Sequence, residues 1–167
     1  MVEALQVGTP VIDVFAQPSN ARCPKFWSKS DSAFEHSWKA QGLLWMNPPF
    51  SKFEEVVNKI EAEGPECLLL VPNWPSAPWF KKVQDLSAKA HFFPAGSRLF
   101  ETDEGKAGPT RWGTWVFYIP SPETAFISIL TIKNPGERSL FLSVCAQKDG
   151  QEIGPPPSML WSTLVPK

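Results

Sequence analysis

Histidine is nearly absent from this chain: His36 and His91 are the only two in 167 residues. A hydrolase built on a histidine base is therefore poorly supported, and neither Gly-x-Ser-x-Gly nor a phosphate-binding Gly-x-x-x-x-Gly-Lys-Ser/Thr occurs. Cysteine is scarce as well. Cys23, Cys67 and Cys145 are far apart and form no Cys-x-x-Cys or Cys/His cluster, so no metal site is expected. An odd, scattered set of thiols reads as an intracellular protein of a reducing compartment, in the cytoplasm or nucleus of a host cell. The first thirty residues lack a basic segment followed by a long apolar stretch, so no signal peptide is expected. No apolar run approaches the roughly 20 residues that span a bilayer, so no membrane partner is expected. A basic surplus is missing too, with a formal net charge of −1. Proteins that grip duplex DNA by its phosphates usually carry such a surplus, so any DNA contact here is weak or rests on locally placed charge.

Proline and tryptophan are abundant instead, at 18 and 8 residues, which implies many stiff loops. The most informative of these prolines follow the apolar run Leu43-Leu44-Trp45-Met46, in Asn47-Pro48-Pro49-Phe50. Neither proline has an N–H to donate, so a strand cannot continue as a ladder through them and the chain must turn. In open α/β sheets the carboxyl ends of strands are where ligands bind. The Asn47 side-chain oxygen and the Pro48 carbonyl can both accept from an –NH2 group, and the Phe50 ring can stack on a planar base. The bland alternative for these four residues is a plain strand-terminating turn.

Hydrophobic periodicity organises the rest. Val11 to Ala16 reads as a buried strand and Gln17-Pro18-Ser19-Asn20 as a turn. A short helix follows Asp31 and runs to Trp38. Ser51 with Glu54 forms a capping box for a helix carrying Phe53, Val56, Val57 and Ile60, which Gly64-Pro65 stops. Cys67 to Val71 is apolar throughout, as in a parallel strand covered on both faces. A second helix spans roughly Trp79 to Lys89, and Ala90 to Phe93 and Trp115 to Ile119 are strands. Residues 101–110 read as a loop. The alternation implies an α/β sheet with crossover helices over residues 1–120. Residues 121–167 read as an extension, with strands at 126–132 and 140–145 forming a hairpin before the irregular Gly154-Pro155-Pro156-Pro157. Trp27, Trp38 and Trp45 read as core.

Asp13-Val14-Phe15-Ala16, then Asn20-Ala21-Arg22-Cys23, then Ser30-Asp31 and Trp38 precede the Leu44-to-Phe50 strand and turn in a fixed order. Leu69-Leu70-Val71-Pro72, Trp79-Phe80 and Gly96-Ser97-Arg98-Leu99-Phe100 follow it. Across residues 11–119 this series resembles the phage-type DNA N6-adenine methyltransferases of the Dam family. The tryptophan-rich stretch from Val71 to Trp79 looks more like the versions found inside retrotransposon polyproteins. The resemblance implies a Rossmann-like S-adenosylmethionine-dependent methyltransferase fold, with a compact, mostly parallel central sheet and flanking helices. It implies S-adenosylmethionine as donor and DNA as partner, alongside other domains of a phage or retroelement polyprotein.

The resemblance also implies site residues. Asn47, Pro48, Pro49 and Phe50 would be catalytic. Asp13, Phe15, Ala16, Asn20 and Asp31 would line the donor site. Read from the residues themselves, Trp74, Arg98 and Arg111 are candidates to meet the substrate, with Lys25 and Lys52 as weaker ones and solvated surface charge as the alternative for each cation. Structural alternatives stand beside several of these: Asp13 capping the next turn, Asp31 capping a helix, Asn20 closing an Asx turn, and Trp74 serving as core or lid. One departure is visible. Most amino-methyltransferases carry Asp-Pro-Phe-x-Gly-x-Gly at the donor loop, and this chain has Gln17 and Ser19 where those glycines fall. A non-catalytic nucleic-acid-interaction or scaffold domain of a mobile element is the second reading. Methylation of RNA or of a protein glutamine is a third.

Overall fold

The computed structural model describes residues 5–102, 105–106 and 108–131. Its strands are β1 (Ile12–Asp13), β2 (Lys25–Phe26), β3 (Leu44–Met46), β4 (Cys67–Pro72), β5 (Lys89–Phe93), β6 (Glu101–Thr102), β7 (Gly105–Lys106) and β8 (Thr114–Ile119). Its helices are α1 (Phe53–Glu63), α2 (Pro78–Leu86) and α3 (Pro122–Thr131). Six strands form one sheet in the order β2-β1-β3-β4-β8-β5. The pairs β1–β2, β1–β3 and β3–β4 are parallel. Strand β8 runs antiparallel to both β4 and β5.

The sheet expected to be mostly parallel is thus mixed: β1 to β5 share one direction, and β8 alone runs against them. The reason lies in the β5–β8 connection. Parallel neighbours need a crossover of a dozen or more residues, usually through a helix, whereas a hairpin-like link returns the chain antiparallel. The link holds no helix among its described residues, and it carries the β6–β7 ribbon where a plain loop was expected.

Strand β4 is buried along its whole length, as its apolar run requires. Leu69 and Val71 join the core on one face, with Val56, Val57 and Ile60 of α1 and Phe80 and Val83 of α2. Leu68 and Leu70 face the other way, with Leu5, Cys23, Trp45, Val116 and Tyr118. Both α1 and α2 therefore cover the same face. The second face is covered by the N-terminal segment: Leu5 is buried in this second cluster, Val7 packs against it, and Lys89 Nζ donates to the Leu5 carbonyl at 3.0 Å. The expectation of flanking helices holds for one face of the described structure.

Local structure departs from the sequence reading at several ends. The strand expected over 11–16 is two residues long, though Val14 N–H still reaches Trp45 O at 2.9 Å. The helix expected between Asp31 and Trp38 is a single 3-10 turn at Ala33–Glu35. Ser51 does not cap α1. A 3-10 turn at Phe50–Lys52 leads directly into the helix, and Lys52 N–H finds Pro49 O at 2.9 Å. The second helix ends at Leu86, so Lys89 opens β5. Gly64 ends α1 at φ 60, with its N–H on Ile60 O at 2.9 Å.

Residues 126–131, expected as strand, belong to α3. The cause is the start of that segment. Ser121 Oγ accepts the Thr124 N–H at 3.1 Å and Pro122 sits in the first turn, a strong helix start that overrides the alternating Ile-Ser-Ile pattern. The partner expected at 140–145 and the proline-rich tail lie outside the described residues.

Candidate active site

The carboxyl ends of β1, β3 and β4 lie at one edge of the sheet. Because β8 is reversed, its start lies there too: Thr114 is opposite Pro72 on β4 and Phe93 on β5. Four segments that are distant in sequence therefore meet at this edge, after Asp13, after Met46, after Pro72 and before Thr114.

Asn47 is exposed, and its side-chain amide has no hydrogen-bond partner among the described residues. Pro48 is buried, and its carbonyl likewise accepts no hydrogen bond there, while the Pro49 carbonyl is taken by Lys52. Phe50 is 51% exposed, although it is one of the largest apolar side chains in the turn. Its ring meets Trp74 at 5.2 Å and Trp112 at 5.3 Å between centroids, both edge to face. Trp74 and Trp112 approach each other at 6.0 Å. Below them Phe53 stacks on buried Trp79 at 4.7 Å, which ties the cluster to the core.

Trp112 was not among the residues singled out by sequence. It is half-buried and placed by its neighbours. The Gly113 carbonyl accepts the Asn73 N–H at 2.8 Å, and a Cβ on Gly113 would lie 2.5 Å from the Phe92 ring. A side chain at this position would have to displace that ring. Asn73 Oδ1 also accepts from Trp115 Nε1 at 3.1 Å. Arg111 is exposed beside Trp112, and Arg98 is exposed on the adjoining segment, where Thr110 N–H donates to Ser97 O at 2.9 Å. The structure therefore brings together Asn47, Phe50, Trp74 and Arg111, with Arg98 close by in the same loop system. Lys52 is bound to Glu55 at 2.6 Å and lies over the Phe34 ring. Lys25 lies over the Trp27 ring.

The expected donor residues do not all share one surface. Asp13 is 3% exposed. Its Oδ2 accepts the Arg22 N–H at 3.0 Å and its Oδ1 the Phe15 N–H at 3.4 Å. Burial pushes its carboxyl above the usual 3.8, against the opposing pull of those two N–H groups and the Arg22 charge. Asp13 thus caps the following loop from inside. Ala16 is also buried, and Asn20 Oδ1 closes the turn by accepting from Gln17 N–H at 2.8 Å.

Phe15 and Asp31 remain open toward solvent. Phe15 is half-buried against Phe34 at 5.9 Å and Trp38 at 6.1 Å. Asp31 caps no helix. It is exposed, with Oδ1 2.8 Å from His36 Nε2, and the His36 ring stacks on Trp27 at 4.5 Å. Phe15 and Phe34 thus offer half-buried aromatic faces, and Asp31 offers an exposed carboxylate. Gln17 and Ser19 have negative φ, so the loop itself does not require glycine. Their side chains are exposed where glycines would leave the backbone bare.

A cavity of about 540 Å³ lies elsewhere, at the opposite edge between the end of α1 and the start of α3. Glu61, Glu63, Glu66 and Glu123 line it, with Lys39 the one cation among its lining residues. Four carboxylates repel a phosphate chain, so this cavity is not a DNA site. Among the described residues no His/Cys/Asp/Glu group is placed to hold a metal ion, and no helix is long and apolar enough to cross a membrane.

A mixed α/β sheet thus gathers a polar turn and open aromatic rings at the edge where ligands bind in open α/β sheets. The chain belongs to the DNA N-6-adenine-methyltransferase (Dam) family, whose model matches residues 4–136. The match passes beyond residue 120 and takes in α3. None of the curated proteins searched matches the chain. Family membership carries DNA methylation as the general activity, DNA as the substrate class and a methyl donor as second substrate.

Proposed function

We propose that this domain transfers a methyl group from S-adenosylmethionine to the exocyclic amine of a DNA base, N6 of adenine. One observation carries the reading: the exposed Asn47 amide and the Pro48 carbonyl, neither with a partner among the described residues, beside a half-exposed Phe50 at the end of a buried strand. The lone pair of an exocyclic amine is delocalised into the ring, which makes it a poor nucleophile. Asn47 Oδ1 and the Pro48 carbonyl accept its two hydrogens and favour a more sp3-like nitrogen. The lone pair is then directed away from the ring. This is positioning plus electrostatic stabilisation, without a covalent enzyme intermediate. Phe50 stacks on the base, a contact worth on the order of 1–3 kcal/mol. A base taken from duplex DNA must first be flipped, at a cost of about a few kcal/mol.

Phe15 and Phe34 would flank the donor's adenine, and Asp31 would accept from its ribose hydroxyls or amine. Asp13 would act through the loop that it caps. When bound, S-adenosylmethionine supplies the electrophilic methyl group. The setting is the reducing interior of a host cell, as part of a phage or retroelement polyprotein.

The second reading, a non-catalytic DNA-interaction domain, is favoured by one specific feature: Asp13 is turned inward beneath a loop without glycines. Calorimetric titration with S-adenosylmethionine and S-adenosylhomocysteine separates the two. Binding with methyl incorporation into deoxyadenosine is the expected result. Absence of binding to the folded protein, with and without DNA, favours the second reading. In the active protein, Asn47→Ala is expected to lower transfer about 100-fold or more. Its melting temperature should stay unchanged, because the side chain is exposed and unpartnered. Transfer at the unaltered rate would disprove the assigned chemistry.

A further inference from the structure

We infer that the strand this edge accepts is unpaired, and that Trp112 is the stacking platform for the base next to the target. The inference rests on the methyltransferase reading of Asn47 for its orientation, but it comes from a different set of residues. Three segments, after β3, after β4 and before β8, each place one aromatic ring at the same spot, with centroids 5.2 to 6.0 Å apart. Trp38, Trp45 and Trp79 are at most 9% exposed, so this fold has room to bury tryptophan. Phe50, Trp74 and Trp112 instead stay partly open, next to Asn47.

A base in a duplex has both faces covered by its neighbours and offers nothing to such rings. An unpaired strand offers every base face, and proteins take it with aromatic platforms edged by cations. The cations are here: Arg111 adjoins Trp112, and Arg98 stands across the Ser97–Thr110 pairing, both exposed. A net charge of −1 suits this mode, because stacking supplies affinity that a basic duplex-gripping surface would otherwise draw from phosphates. The Gly113 contacts hold the Trp112 segment in place before any strand arrives. One ring serves the target base, and with Phe50 assigned to it, Trp112 is the ring on the Arg111 side for its neighbour.

The test uses the full chain and a fluorescein-labelled 12-nucleotide strand holding one adenine among cytosines and guanines, so that its complement carries no adenine. It is compared with the same strand annealed to its complement. Anisotropy at fixed salt and methyl transfer are both read. The single strand is expected to bind, and to be methylated, at least about tenfold better than the duplex. Trp112→Ala should weaken single-strand binding about five- to hundredfold. Trp112→Leu, which fills the space without an aromatic face, should behave like alanine, and Trp112→Phe should restore most of the affinity. Arg111→Ala should lower the slope of log affinity against log salt by about 0.7.

Equal or better use of the duplex overturns the inference, as does a leucine variant that binds as well as the phenylalanine one. If methyl transfer fails on both substrates while the single-strand preference and its dependence on Trp112 persist, the methyltransferase reading fails and the strand preference stands. Equal transfer to both substrates with Trp112 neutral has the reverse meaning.

Discussion

Asp13 shows how a single residue changes meaning between sequence and structure. An acid at the end of a first strand reads as a donor ligand, yet here its oxygens face Arg22 and Phe15 N–H groups inside the loop. The capping alternative is the one the geometry supports. Asp13→Ala leaves two N–H groups without an acceptor and is expected to cost about 1–3 kcal/mol, read as a lower urea midpoint. Asp13→Asn keeps one acceptor oxygen and should cost less. The pH dependence follows from the raised pKa. The stability tied to this carboxyl is complete below the ordinary 3.8 and is lost as pH rises through the raised folded value. Urea midpoints of the asparagine variant should lack that decline. Loss of donor affinity in Asp13→Asn with the urea midpoint unchanged would return Asp13 to the donor site.

At the scale of elements, α1 is tied to the chain before β3 by Glu63. Its Oε2 accepts the Trp38 N–H at 2.6 Å and its Oε1 pairs with Lys59, whose Nζ also lies over the Trp38 ring. Burial works to raise the Glu63 carboxyl, but Lys59 and the backbone N–H groups outweigh it and hold the carboxyl below the usual 4.5. A lowered carboxyl contributes its stability above the unfolded value and loses it as pH falls through the folded one. Glu63→Gln is therefore expected to cost about 1.5–3 kcal/mol at pH 7 and progressively less below the ordinary 4.5. Thermal melts across that range check it, and a cost independent of pH would rule out the charge as its source. The end of α1 was legible in sequence, since Gly64 adopts the left-handed conformation that glycine favours. Its start was not. Ser51 with Glu54 has the spacing of a capping box, but the two prolines before Phe50 set up a 3-10 turn that carries the chain past Ser51.

Over the whole molecule, the two faces of the sheet are closed by different means. Helices pack on one, and the N-terminal segment crosses the other with Leu5 4% exposed and its carbonyl held by Lys89. Leu5→Ala is expected to destabilise by about 2–5 kcal/mol, as a core truncation does, although Leu5 stands close to the start of the chain. Chemical denaturation measures it. A change below about 0.5 kcal/mol would mean that the segment is not part of the cooperative unit. The charge is also organised at this scale. Exposed Arg98 and Arg111 stand at the Asn47 edge, whereas carboxylates line the cavity at the opposite one. The near-zero net charge thus conceals a division that composition cannot display.

What the sequence determined by itself is whatever rests on neighbours along the chain. Two prolines without N–H groups keep β3 from running on past Met46, helical spacing makes α1, and an unbroken apolar run makes β4 a strand buried on both faces. The motif order from Asp13 to Phe100 was enough to see the family. Tertiary structure decided the direction of β8, the inward turn of Asp13, the placement of α1 and α2 on one face, and the meeting of Trp112 with Phe50 and Trp74. Each of these depends on which distant segment becomes a neighbour. Strand direction leaves no local mark in a sequence, because an apolar run reads the same in a parallel and an antiparallel ladder. Only the packed sheet could show that the residue before Gly113 arrives at the edge where Asn47 turns.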